Sequence, residues 1–222
     1  MLTSLDSGIV LETPDNVAFD TVHAICITGH REKSIIPFLG VEQHFQLTRA
    51  TVRIMLYKYI EMAVAKGYTD FFSGLAEGTD LWAAEYLLIK KQKNSNIRLF
   101  GAMPYLKHSK SFSSESHRLL CEVEKGADSV ILLNSDPDAN YGRNPDVYRK
   151  RNYFMVDNAS AVLGFFNERE SHSGTAQTIN YARKKGKTVN SFSMDDVHDI
   201  MDRAELDWDR ICALVKDINN VF

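Results

Sequence analysis

The chain has 222 residues, 44% of them apolar and 25% charged, and a formal net charge of −3. That length suits one domain with a sizeable core, and the acidic balance argues against a broad nucleic-acid-binding face. Three widely spaced cysteines form neither a disulfide framework nor a CxxC metal site, and Cys26 and Cys121 read as inert buried thiols. No apolar run approaches the roughly 18 residues of a membrane span. No basic start followed by an apolar stretch marks a signal peptide, so a cytoplasmic setting is expected.

Residues 1–20 read as a lead-in segment, either an edge strand or a loose tail, ahead of a single domain over 21–222. Val22 to Thr28 is the first strand, apolar almost throughout as a strand covered on both faces should be. Gly29-His30-Arg31 follows it, and Pro37 and Gly40 make the next stretch loop-like. Phe45 to Lys66 reads as a long helix stopped by Gly67, and Tyr68 to Phe72 as a short buried strand. A small-residue turn through Ser73, Gly74, Gly78 and Thr79 leads into a helix over Leu81 to Lys91. Asn96 to Ala102 is a third strand ending in Met103-Pro104-Tyr105, followed by an amphipathic helix from Ser109 to Gly126 and a fourth strand from Asp128 to Leu133. Asn134 to Pro145 reads as an irregular loop and Arg149 to Asp157 as a short helix. A strand over Ala161 to Phe166, a helix over Thr175 to Lys185, a strand over Thr188 to Phe192 and helical segments within 195–222 complete the chain. Strands alternating with helices predict a Rossmann-like, doubly wound α/β fold with a mainly parallel sheet.

In such a sheet the carboxyl ends of the strands open on one edge, so the turns at Thr28–Arg31, Ser73–Asp80, Met103-Pro104 and Ser173–Thr175 should converge. Glycine lets a ligand approach the backbone, and the first amides of a following helix lack partners and favour an anion. Ser171-His172-Ser173-Gly174-Thr175 adds hydroxyls and amides suited to a phosphate or ribose. Arg31, Arg149 and Arg151 are the cations expected at that edge, although Arg149 and Arg151 could equally be solvated helix residues. Asn152 sits one step from an aromatic pair, Glu77 and Asp80 could bind ribose hydroxyls or a base, and Asp80 could instead simply favour the helix start. His30 is the one histidine expected near a ligand; the seven histidines show no metal-binding spacing, and no metal is expected. The dinucleotide fingerprint, the P-loop and the GxSxG elbow are all absent.

Four segments in this order resemble the YpsA-like branch of the SLOG superfamily. They are Thr28-Gly29-His30-Arg31, Ser73-Gly74-x-x-x-Gly78-x-Asp80-x-x-Ala83-Ala84-Glu85, Arg151 to Asp157, and Ser173-Gly174-Thr175 with Tyr181-Ala182. That superfamily also includes the DNA-processing protein A domain and the cytokinin-activating LOG enzymes. The resemblance spans roughly 22–192 and implies a Rossmann-like sheet whose carboxyl edge holds a nucleotide or a nucleotide-derived ligand of the ADP-ribose or NAD type. It makes Gly29, His30, Arg31, Gly74, Glu77, Gly78, Asp80, Arg151, Asn152, Ser173, Gly174 and Thr175 pocket residues. LOG enzymes, which cleave nucleotide N-glycosidic bonds, resemble Pro-Gly-Gly-x-Gly-Thr-x-x-Glu at the last turn. Here Ser171 and His172 replace the early glycines and Thr178 replaces the glutamate. A hydroxyl cannot stabilise an oxocarbenium-like centre as a carboxylate does, so an enzymatic role would fall to Glu77 or Asp80.

The leading reading is therefore a nucleotide-binding sensor or regulatory module needing no cofactor. Phosphate would lie on the Gly74–Thr79 and Ser173–Thr175 turns, with Arg31 and Arg151 balancing its charge. A nucleotide N-glycoside hydrolase is the alternative, and single-stranded DNA binding ranks last because no basic stripe is present. A membrane is not expected as a partner; a homodimer through an exposed helix face fits the pattern.

Overall fold

The computed structural model describes residues 2–136, 139, 144–167 and 172–219. Six parallel strands, β1 (Ala24–Gly29), β2 (Asp70–Ser73), β3 (Arg98–Met103), β4 (Ser129–Leu132), β5 (Ala161–Phe165) and β6 (Thr188–Phe192), form one sheet. Their order is β4-β3-β2-β1-β5-β6. The chain steps outward from β1 to β4, then returns to lay β5 against the other side of β1. That reversal places a topological switch point between β1 and β5, where an open α/β sheet leaves a crevice at its carboxyl edge.

Period-two alternation in the strands divides the core into two layers. Ile25, Ile27, Leu99 and Met103 face one side, packed with residues of α1 (Phe45–Ala65), α2 (Thr79–Lys91), α3 (Ser114–Gly126), α6 (Met194–Arg203) and α7 (Trp208–Lys216). Ala24, Cys26, Phe100 and Ala102 face the other, under α4 (Pro145–Asp157) and α5 (Gly174–Lys184). The fold is thus Rossmann-like and doubly wound, with helices on both faces. Among the described residues no helix is long and apolar enough to cross a membrane.

Two boundaries differ from the sequence reading by a turn or more. The helix expected from Ser109 begins at Ser114, because the Ser113 hydroxyl caps it by accepting the Ser116 amide and Ser109 donates instead to Asp6. The helix expected from Arg149 begins at Pro145: the Asn144 side chain accepts the Asp146 amide, and proline at the first helical position loses no hydrogen bond. The lead-in segment is packed, not loose. Glu12 pairs with β4 beside Ile131, Leu11 is buried, and the Ser4 and Ser7 hydroxyls donate to Glu124 at 2.6 and 2.5 Å. Cys26 is fully buried as expected, whereas Cys121 is half-buried and its thiol donates to the Asp6 carbonyl at 3.1 Å.

At the amino edge of the sheet, Asp70 is fully buried and accepts Nε and Nη2 of Arg98 at 2.8 and 2.6 Å and the Asp20 amide at 2.9 Å. The two partners are unequal: the Arg98 side chain is 41% exposed and can turn to water, whereas a stranded Asp70 cannot. Arg98→Ala is therefore expected to lower the free energy of unfolding by about 3–5 kcal/mol, and Asp70→Ala by less, about 2–3 kcal/mol. Urea denaturation of the two variants checks the order; equal losses would contradict it.

Candidate functional site

A cavity of about 420 Å³ opens at the carboxyl ends of β1 and β5. Its walls are Thr28–Arg31 with Lys33 and Ser34 after β1, Ala76 and Asp80 from the turn into α2, Tyr148, Arg151 and Asn152 from α4, and Ser173–Thr175 at the start of α5. Turns separated by up to about 145 positions thus meet at the switch point.

Of the residues anticipated from sequence, Gly29, His30, Arg31, Asp80, Arg151, Asn152, Ser173, Gly174 and Thr175 line this cavity. Ser73, Gly74, Gly78 and Thr79 stand behind the wall. Ser73 Oγ donates to the Asp80 carbonyl at 2.9 Å and Thr79 Oγ1 to the His30 carbonyl at 2.8 Å. Gly78 has φ +86°, and a Cβ there would lie 2.8 Å from the Glu32 amide and 2.9 Å from Arg31 Cα, so the β1 and β2 turns can touch only through glycine. At Gly74 an added Cβ would overlap the Arg151 guanidinium. Glu77 does not line the cavity; its carboxylate accepts the Ser113 amide at 2.8 Å and supports the start of α3. Pro104 is buried outside the wall, although the next residue, Tyr105, meets Tyr148 hydroxyl to hydroxyl at 3.3 Å. Ser171 lies outside the described residues.

The two candidate α4 arginines part company. Arg149 pairs with Asp146 at 2.5 Å on the solvent side. Arg151 is 6% exposed, donates through Nη1 to the Gly74 carbonyl, and lies 3.7 Å from Asp80. Its Nε, also buried, has no hydrogen-bond partner. Burial pushes the Asp80 carboxyl up to about 6, against the pull of Arg151, of the Ala76 and Gly74 backbone and of Arg31. Burial also lowers the Arg151 guanidinium, with Asp80 opposing. Desolvation therefore outweighs the attraction between the two. Arg31 is exposed at the mouth, with no ion pair to a carboxylate among the described residues. His30 is fixed in place: the Asn167 amide donates to Nε2 at 2.9 Å, and the ring stacks on Phe166. Its Nε2 is thus an acceptor, with the proton on the other nitrogen.

Sequence reasoning missed Tyr148. It shares a helical face with Arg151 and Asn152, at the i, i+3, i+4 spacing, once α4 is started at Pro145. The signal was present in Asn144-Pro145-Asp146, a capping side chain, a first-position proline and a first-turn acid. At the other helix, Thr178 is fully buried and donates its hydroxyl to the Gly174 carbonyl at 2.9 Å, leaving nothing to present to a ligand. Among the described residues no group of three His, Cys, Asp or Glu side chains could hold a metal ion.

Two outcomes follow from this geometry. Gly78→Ala forces a side chain into a glycine conformation and is expected to lower stability by roughly 1–3 kcal/mol, whereas Gly174→Ala, with open space around its Cβ, should be near neutral. Thermal unfolding of both variants reads the contrast. Because the folded state holds the Asp80 proton more tightly than an ordinary carboxyl at 3.8, stability from that proton is present at pH 4 and is lost as pH rises through about 6. Asp80→Asn should remove that part of the slope; parallel pH–stability curves for wild type and variant would contradict the assignment.

Comparison with known proteins matches residues 25–197 to a family model described as the YspA SLOG family. Among relatives, the uncharacterized SPbeta prophage-derived protein YoqJ of Bacillus subtilis is 29% identical over 130 residues, 56% of this chain and 75% of that protein. A UPF0398 protein of Bacillus cereus is 23% identical over 186 residues, 82% of this chain and 96% of its own length. A UPF0398 protein of Halalkalibacterium halodurans is 22% identical over 144 residues, 65% of this chain and 72% of its own. With a cleft at the switch point of a doubly wound sheet and a family match over most of its length, the chain belongs to the YpsA-type SLOG family.

Proposed function

We propose that this protein binds a nucleotide or nucleotide-derived ligand in the cavity between β1 and β5 and acts as a sensor or regulatory module. The observation that carries this reading is Arg151: a buried guanidinium in the cavity wall with an unpartnered Nε. A buried donor without a partner is disfavoured, and a turn of the guanidinium onto a phosphate bound in the cavity would relieve it. Arg31, Lys33 and Arg151 oppose one carboxylate, Asp80, along the described wall, which suits a ligand carrying more than one negative charge. The amino end of α5 adds favourable dipole and amide donors, and Ser173, Thr175 and Asn152 add groups for ribose hydroxyls. SLOG membership agrees with a nucleotide-related ligand.

Titration calorimetry at low salt against nucleoside monophosphates, ADP-ribose, NAD and cyclic nucleotide derivatives tests the reading. Saturable binding of at least one is expected, weakened tenfold or more by Arg31→Ala, as loss of a charge-assisted contact of about 1.5–3 kcal/mol implies. Silence across the whole panel would remove the proposal.

A hydrolase reading retains one support, the single described carboxylate in the wall, Asp80, raised into the range of a general base. Thr178 and Glu77 are both committed elsewhere. Release of free base that disappears in Asp80→Asn would favour hydrolysis; intact nucleotide after prolonged incubation would rule it out.

A further inference from the structure

A cavity lined by Arg31, Lys33 and Arg151 also has a carboxylate in its wall, which an anion would have to approach. Asp80, at the start of α2, is 6% exposed, and its Oδ2 lies 3.7 Å from Nη1 of the equally buried Arg151. That guanidinium has two claims on it. As arranged here it donates to the Gly74 carbonyl and neutralises Asp80. It is also the buried cation that a phosphate in the cavity would draw. An anion that draws it leaves an ionised Asp80 beside like charge in a poorly hydrated wall. A buried carboxylate in that position is stable only when neutral.

The groups that face Asp80 from the neighbouring elements do not relieve this conflict. Cys26 on β1 is a neutral thiol, its titration raised far by burial and further by Asp80 itself. Burial pushes Tyr148 on α4 up to about 12, and it lowers His108, after β3, to about 4, with Arg151 adding to that effect. Both are therefore neutral near pH 7. His30 at the end of β1 uses Nε2 to accept the Asn167 amide, and His172 before α5 is exposed and lines the adjoining cavity. Glu77, on the same turn as Asp80, accepts the Ser113 amide away from the cavity. Burial already holds the Asp80 carboxyl at about 6 with Arg151 opposing, so withdrawal of that arginine can only favour the protonated form further.

Resting on the nucleotide reading above, we infer that this site takes up its anion together with a proton, which passes from solvent onto an Asp80 carboxylate oxygen as Arg151 turns from Asp80 to the ligand. The carboxylate gains one proton and loses its charge, the solvent gives up that proton, and no other covalent bond forms or breaks. The ligand then meets Arg31, Lys33 and Arg151 with no opposing charge in the described wall. Affinity consequently rises as pH falls toward about 6 and levels off below, where Asp80 is protonated before the anion arrives. A module of this kind responds to its ligand and to acidity jointly.

Calorimetry with AMP, cyclic AMP, ADP-ribose and NAD at pH 7, each in two buffers of different ionisation enthalpy, counts the protons exchanged. For whichever of the four binds, wild type is expected to take up about half a proton or more beyond Asp80→Asn, since exchange by the ligand's own phosphate is common to both proteins. Raising the pH from 6 to 8 should weaken wild-type binding roughly fivefold more than it weakens the variant, so that at pH 8 Asp80→Asn binds more tightly than wild type. Equal proton uptake in the two proteins, or weaker binding by the variant at pH 8, would overturn the inference and leave the nucleotide site standing. Binding by none of the four would remove both. A measurement on wild type alone guards against a misfolded variant. In carbon-13 NMR at pH 7, one aspartate carboxyl carbon should move from its ionised to its protonated position as the binding nucleotide is added. Carboxyl carbons that all stay ionised would overturn the inference.

Discussion

The cavity depends on one contact across its floor, the reach of Arg151 from α4 to the Gly74 carbonyl and to Asp80. It joins the turn after β2 to a helix that enters the fold some seventy residues later. Opposite charges this close would ordinarily reinforce one another, lowering the acid and raising the base. Here both shifts run the other way, because removing each group from water outweighs their attraction. A pair of this kind contributes little to holding the fold together. The Nε of Arg151 has no hydrogen-bond partner either, so the pair is incompletely satisfied as well as costly to bury.

The surrounding structure serves to hold that pair rigid. Gly78 lets the β1 and β2 turns pack backbone to backbone, and Thr79 then seals them through the His30 carbonyl. His30 in turn accepts from the amide of Asn167, beyond the end of β5, so β2, β1 and β5 are tied together at their carboxyl ends. Gly74 has no side chain because the Arg151 guanidinium occupies that volume. Gly74, Gly78 and Thr79 pack against their neighbours and do not line the cavity. A glycine-rich turn can thus shape a cavity from behind its wall.

This distinction explains the uneven legibility of the site. Turn chemistry marked three of the four stretches that reach the cavity and misplaced Met103-Pro104, since glycine, serine and threonine after a buried strand signal a close backbone approach whichever way the side chains point. It could not separate Asp80, which faces the cavity, from Glu77, which turns toward Ser113, because three positions on a tight turn project in unrelated directions. Nor could it separate Arg149 from Arg151: two residues along a helix is about 200° of rotation, enough to place one in solvent and the other in the core.

Local sequence alone determined the six strands, their alternation with helices and hence the parallel, doubly wound sheet. Those features follow from apolar periodicity and turn residues, which act over a few neighbours at a time. The tertiary structure decided which turns share a rim, that Tyr148 joins them, and that Arg151 is buried beside Asp80. Each of these depends on the strand order β4-β3-β2-β1-β5-β6 and on the rotation of α4 over the sheet. Such quantities are set by packing between segments far apart in the chain; a local pattern, such as the helix start at Asn144-Pro145-Asp146 that puts Tyr148 on one face with Arg151, supplies only a part of them.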